Sequence, residues 1–199
     1  MKKQDPRKEK TVILLKPDTI KRGLIGDIIT RFEKVGLKII ALKMVWVDED
    51  MVAKHYSDNK DYLTSIGHKT LKTYEEYGKD ADEEIGTKDP YEIGKIVRKW
   101  NMEFLSSGPV VAILLQGLHA VDAVRMMVGN TLPRFAEPGT VRGDYSLDSP
   151  IMANMNKRTV RNMIHASGNV EEAKLEEELW FHGNEIHDYK RADEDIMFE

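Results

Sequence analysis

The stretch TVILLKPDTIKRGLIGDIITRFEKVGLKIIALKMVWV, residues 11–47, changes its hydrophobic period twice. TVILL is a short β-branched and aliphatic run, the pattern of a buried strand. KPDT then turns the chain, because proline biases the residue before it away from helix. Ile20, Leu24, Ile28, Ile29, Phe32 and Val35 recur at helical spacing, and Gly36 supplies the stop. LKIIALKMVWV reads as a second, longer strand.

The same reading extends in both directions. The first ten residues carry seven charges (Lys2, Lys3, Asp5, Arg7, Lys8, Glu9, Lys10) and read as a solvated tail. Residues 48–58 fit a short helix, and 61–107 fit two helix-like segments split by GTKDP, an inserted helical pair. PVVAILLQG is a third buried strand, followed by a helix over LHAVDAVRMMVGN. TLPRFAEPGTVRGDYSLDSP is rich in proline and glycine and reads as a long loop, a kind of segment that is often functional. RNMIH is a short fourth strand, and Asn169 with Glu172 has the spacing of a capping box that opens a last helix. This order predicts an α+β fold of the ferredoxin-like split βαβ kind: a four-stranded antiparallel sheet with helices on one face, plus the inserted pair. The expected organisation is one domain over residues 11–199, with inserts at about 61–107 and 147–159. No internal repeat or low-complexity linker is visible.

Composition narrows the function classes. The formal net charge is −4, so the whole chain gives no reason to expect nucleic acid or an anionic membrane as partner. Without cysteine there is no disulfide, no thiolate nucleophile and no thiolate metal site. The run at 11–15 is too short for a signal peptide and nothing approaches a membrane span, so a soluble, cytoplasmic protein is expected.

Chemistry concentrates at one histidine. His165 ends the RNMIH strand beside the small residues Ala166, Ser167 and Gly168. Glu176 follows on the next helix, where it can return to the ring, fix its tautomer and make the other nitrogen a better nucleophile. The other histidines (His55, His68, His119, His182, His187) sit in contexts with no recognisable partner or at the surface. Lys16, Arg125, Arg134 and Arg142 lie at strand ends and loops where cations could cradle phosphates. No Walker loop and no protein-kinase motif is present.

These residues resemble the nucleoside diphosphate kinase family. RNMIHASGNVEEAKLEEELWF is similar to its active-site segment, N-x-x-H-G-S-[DE], and K-P-D, P-G-T-x-R-G-D and N-x-x-H occur here in the family's order. The resemblance covers most of the chain outside the tail and the two inserts. It implies that a nucleoside triphosphate phosphorylates His165 and that a nucleoside diphosphate then takes the phosphoryl group. It also implies that Lys16 contacts the terminal phosphate with Tyr56 nearby. Arg125, Thr131 and Arg142 would hold the nucleotide phosphates and Asn162 the ribose, while Ser167 and Glu176 would orient the network. Mg2+ would arrive mainly on the nucleotide phosphates, with no metal held by protein ligands alone. A homo-oligomer, hexamer or tetramer, is implied as well. Ala166 stands where the family has glycine, and Gly168 where it has an acid. The residue that packs on the base falls among Tyr62, Leu63 and Tyr74. The alternative is a kinase-like nucleotide-binding or interaction module without turnover.

Overall fold

The computed structural model describes residues 5–198; Lys2 and Lys3 of the expected tail lie outside them. Four strands, β1 (Glu9–Leu15), β2 (Lys38–Val45), β3 (Val110–Gly117) and β4 (Ile164–Ala166), form one sheet in the order β2-β3-β1-β4. Every neighbouring pair is antiparallel, with Ile13 opposite Ile113 on one side of β1 and Leu14 opposite His165 on the other. This is the expected split βαβ topology. The eleven α-helices among the described residues are α1 (Pro17–Lys21), α2 (Ile25–Lys34), α3 (Glu49–His55), α4 (Lys60–Glu76), α5 (Ala81–Ile85), α6 (Pro90–Leu105), α7 (Ala120–Val128), α8 (Val141–Tyr145), α9 (Pro150–Met155), α10 (Val170–Trp180) and α11 (Glu194–Phe198).

Helices cover both faces of the sheet, not one. Ile13 and Leu15 point to a core completed by Ile28 and Phe32 of α2 and Val124 and Val128 of α7. Val12 and Leu14 point the other way, against Val52 of α3, Leu105 of α6 and Trp180 of α10. The continuous apolar run of β1 is the reason, since a strand with no polar face needs cover on both sides.

The helical pair expected over 61–107 is α4 packed on α6, with α5 in the connection that joins them. A Cβ at Gly67 would stand 1.8 Å from Pro90 O, and one at Gly94 2.0 Å from Leu63 O, so the two backbones touch where only glycine fits. Tyr74, Ala81 and Ile93 form a small core at the far end. Arg98 of α6 donates to Tyr56 O (3.0 Å) and Ala53 O (2.9 Å), which fixes the end of α3.

Several boundaries differ from expectation. The first helix is two, α1 and α2, because Gly23 takes a left-handed φ of 69° between them. Within the tail, Pro6–Lys8 forms a 3-10 turn and β1 already begins at Glu9. The long loop contains a 3-10 turn at Pro133–Phe135 and the helix α8, whose N-cap Thr140 accepts from Gly143 N. α9 occupies Pro150–Met155, inside the second expected insert. The fourth strand starts at Ile164 rather than Arg161, for a reason that belongs to the site.

Candidate active site

The K-P-D turn holds the segment before β4 in place. Pro17 opens α1 at a position where its missing N–H is not needed. Asp18 Oδ2 accepts from Met163 N (3.0 Å), while Lys16 N (2.8 Å) and Thr19 Oγ1 (2.5 Å) both donate to Met163 O. Met163 is thereby held at φ 67°, and Ile164 N closes a three-residue turn onto Asn162 O at 2.7 Å. That left-handed conformation is strained for a non-glycine residue and persists because three partners pin it. It also ends the strand, so β4 is short and delivers His165 directly from the turn.

His165 pairs with Leu14 across β1 and keeps about a fifth of its side chain exposed (20%). Its Nε2 donates to Glu176 Oε1 at 2.5 Å. Glu176 Oε2 accepts from Ser167 Oγ at 2.6 Å, and Ser167 Oγ in turn accepts from Val12 N at 3.1 Å. Burial, with the Lys16 charge adding to it, holds the His165 imidazole well below its ordinary pKa, so the ring is neutral near pH 7. Burial pushes the Glu176 carboxyl up, against the opposing pull of the Ser167 bond. With a proton on Nε2, Nδ1 carries the lone pair.

A basic cradle lies beside the ring. Arg142 is buried and donates to three backbone carbonyls: Asn162 O (3.2 Å), Gly129 O (2.8 Å) and Ile164 O (2.6 Å). Burial and the nearby Arg125 charge pull its pKa down to about 10. Lys16 Nζ donates to Asn162 Oδ1 at 2.8 Å, and burial together with Arg142 pulls the ammonium down to about 8. Asn162 Nδ2 donates to Thr131 O at 2.9 Å, which ties the loop to the lysine. Cations that depress one another's pKa in this way form a site suited to an anion.

Arg125 and Thr131 are exposed at the rim. Tyr56 follows α3, and burial pushes its phenol up. Arg134 is elsewhere: its Nη1 donates to Tyr77 OH (2.5 Å), so it links the loop to the end of α4. The capping box is only half formed. Asn169 Oδ1 accepts from Glu172 N (2.8 Å), but Glu172 Oε2 accepts from Gly168 N (3.0 Å) rather than from Asn169.

The residue missed in the sequence is His55. Contrary to expectation it has close partners: its ring meets that of His165 edge to face at 4.6 Å, and Trp180 Nε1 donates to its Nδ1 at 3.4 Å. Burial holds it neutral. The adjacent pair His55-Tyr56 closing α3 was the available signal, but only the fold brings α3 to α10. His55, His165 and Glu176 form a group with metal-ligand character. Two imidazoles and one hydrogen-bonded carboxylate do not suit Mg2+, which prefers oxygen donors.

Comparison with known proteins agrees with this geometry. The sequence model of the family described as nucleoside diphosphate kinase matches residues 9–67 and 93–186, leaving out 68–92, which run from within α4 through α5 into the start of α6. A nucleoside diphosphate kinase of Pyrobaculum aerophilum is 47% identical over 178 residues, covering 89% of this chain and 97% of that protein. The crystal structure of an NDP kinase from P. aerophilum superposes with a TM-score of 0.89 at 45% identity, covering 91% of this chain and 100% of that one. A transition state mimic of the Borrelia burgdorferi enzyme with bound vanadate and ADP superposes with a TM-score of 0.73 at 36% identity, covering 93% and 94%. With motif order, topology and sequence in agreement over most of its length, the chain belongs to the nucleoside diphosphate kinase family.

Proposed function

We propose that His165 carries the phosphoryl group between two nucleotides on its Nδ1 atom. Transfer from a nucleoside triphosphate to a nucleoside diphosphate is the activity of the family, and nucleotides are the substrates. In the first half-reaction Nδ1 attacks the terminal phosphorus. An N–P bond forms, the P–O bond to the β-phosphate breaks, and the diphosphate leaves with the electron pair. In the second, a terminal oxygen of another diphosphate attacks the same phosphorus and the N–P electrons return to Nδ1.

The chain's own groups contribute positioning and charge, which phosphoryl transfer needs most. Glu176 keeps the proton on Nε2 and offsets the positive charge that the ring gains, and Ser167 holds Glu176 in place. Lys16 and Arg142 face the transferring group, Arg125 and Thr131 bind the phosphates from the rim, and Asn162 holds Lys16 while reaching the ribose. Tyr56 closes the pocket on the α3 side. Mg2+ bound to the nucleotide would neutralise phosphate charge, and the Glu172 carboxylate at the edge of the cradle fits a hydrated cation there. The observation that carries the reading is the 2.5 Å contact from His165 Nε2 to Glu176 Oε1, which leaves Nδ1 free.

Incubation with triphosphate labelled at the terminal phosphate tests it. The expected result is an acid-labile, base-stable phosphoprotein that discharges to added diphosphate; stable nucleotide binding with no phosphoprotein would favour a module without turnover.

We also propose a homo-oligomer, hexamer or tetramer, acting in the cytoplasm. β2 is an edge strand whose Leu42 and Met44, with Trp46 just beyond its end, are half or more exposed (50%, 56% and 68%), an apolar stripe suited to a second copy. No helix of the described residues is long and apolar enough to cross a membrane.

A further inference from the structure

A carboxylate stands at the edge of the cationic cradle. Gly168 does not use the left-handed region, so its backbone makes no demand for glycine. What a side chain there would displace is the end of Glu172: a Cβ at 168 would lie 2.5 Å from Glu172 Oε2, and in ordinary contact, 3.7 Å, with Arg125 Nη1. The Glu172 carboxylate therefore fills the place of a residue-168 side chain, delivered from α10 and held by Gly168 N at 3.0 Å. Its charge is felt at the His165 ring, where it opposes the depression caused by burial, and at the Tyr62 phenol.

Capping explains one oxygen of Glu172 but not its location. A carboxylate beside an anion site repels the anion unless a cation comes between them. We infer that Glu172 is the protein carboxylate that faces the nucleotide-borne divalent cation through its water shell, with Gly168 kept bare to admit it. The inference rests on the nucleotide-phosphate site proposed above. It makes Glu172 a positioning residue for the metal–phosphate end of the substrate.

The test is calorimetric titration of ADP into the protein, once with Mg2+ and once with EDTA. Glu172→Gln keeps the acceptor for Gly168 N and removes only the charge. Relative to the parent protein, this variant is expected to bind ADP about tenfold more weakly with Mg2+. Without a divalent cation it is expected to bind about twofold more tightly, because the repulsion is gone. Gly168→Asp in a Glu172→Ala background, where the space beside residue 168 is vacated, returns a carboxylate to the same place and should restore the Mg2+ dependence. Equal binding by parent and variant in both conditions would make Glu172 a helix cap only, and equal weakening in both would make it a partner of Arg125. Either pattern, or any other without the reversal of sign, overturns the inference. Failure of the parent protein itself to bind ADP would instead overturn the site reading beneath it.

Discussion

Glu176→Gln separates the charge of the carboxylate from its shape. Glutamine can keep both contacts, one oxygen toward His165 Nε2 and an amide group toward Ser167 Oγ, which now stand at 2.5 and 2.6 Å. Phosphorylation turns a buried, neutral ring into one that carries positive charge on its Nε2 side. At an effective dielectric constant of about 20, unit charges about 4 Å apart interact by about 4 kcal/mol. With roughly half the charge developed at the transition state, the carboxylate contributes about 2 kcal/mol, or about 30-fold in rate. Rapid-quench measurement of a single turnover is the assay, because it isolates phosphohistidine formation from product release. Triphosphate affinity should stay within about twofold, since the loss falls on the transition state. The fold should be as stable as before or more so, because burial already disfavours the Glu176 charge. A rate within about threefold of the parent, or a loss appearing only as weaker binding, would refute the charge argument.

The remaining expectations concern pH, the buried arginine and the helical pair. Burial has pulled the Lys16 ammonium down to about 8, and a bound phosphate chain would raise it again. Triphosphate affinity should therefore be full below pH 8 and fall by up to about tenfold per unit above it, with proton uptake on binding; a flat profile from pH 7 to 10 would contradict this. Arg142→Ala strands three buried carbonyls, so chemical denaturation should show a loss of at least about 3 kcal/mol, alongside diphosphate binding weakened about tenfold or more. Arg134→Ala, whose partner is Tyr77, should change that binding by less than about twofold. Gly94→Ala drives a methyl into Leu63 O and should lower stability by about 1–3 kcal/mol in thermal melts, whereas an unchanged melt would mean that the helices separate freely.

The sheet was legible because its strands are continuous apolar runs too short for a buried helix: TVILL and PVVAILLQG read as strands at that length. The same runs held the signal for helices on both faces, since TVILL lacks a polar alternation. β4 was misread at its start because Met163 is as apolar as any strand residue, and only Asp18, Lys16 and Thr19, distant in sequence, bend it. Glu176 could be placed opposite His165 from helical spacing alone. His55 could not, because its contact depends on how α3 packs on α10. Arg142 was legible as a cation of the loop, but its three carbonyl partners exist only once α8 forms. Glu172 followed the capping-box spacing, yet its carboxylate turned to Gly168, a choice set by the absence of a side chain there.

The most direct test of the central claim is the position of the phosphate on the ring. Protein phosphorylated by triphosphate in the absence of acceptor would be digested under alkaline conditions. Peptide mapping then locates the modified residue, and chromatography against authentic standards separates the two phosphohistidine isomers. The expected result is phosphate on Nδ1 of His165, the nitrogen left free by Glu176. Phosphate on Nε2, or on any residue other than His165, would contradict the account.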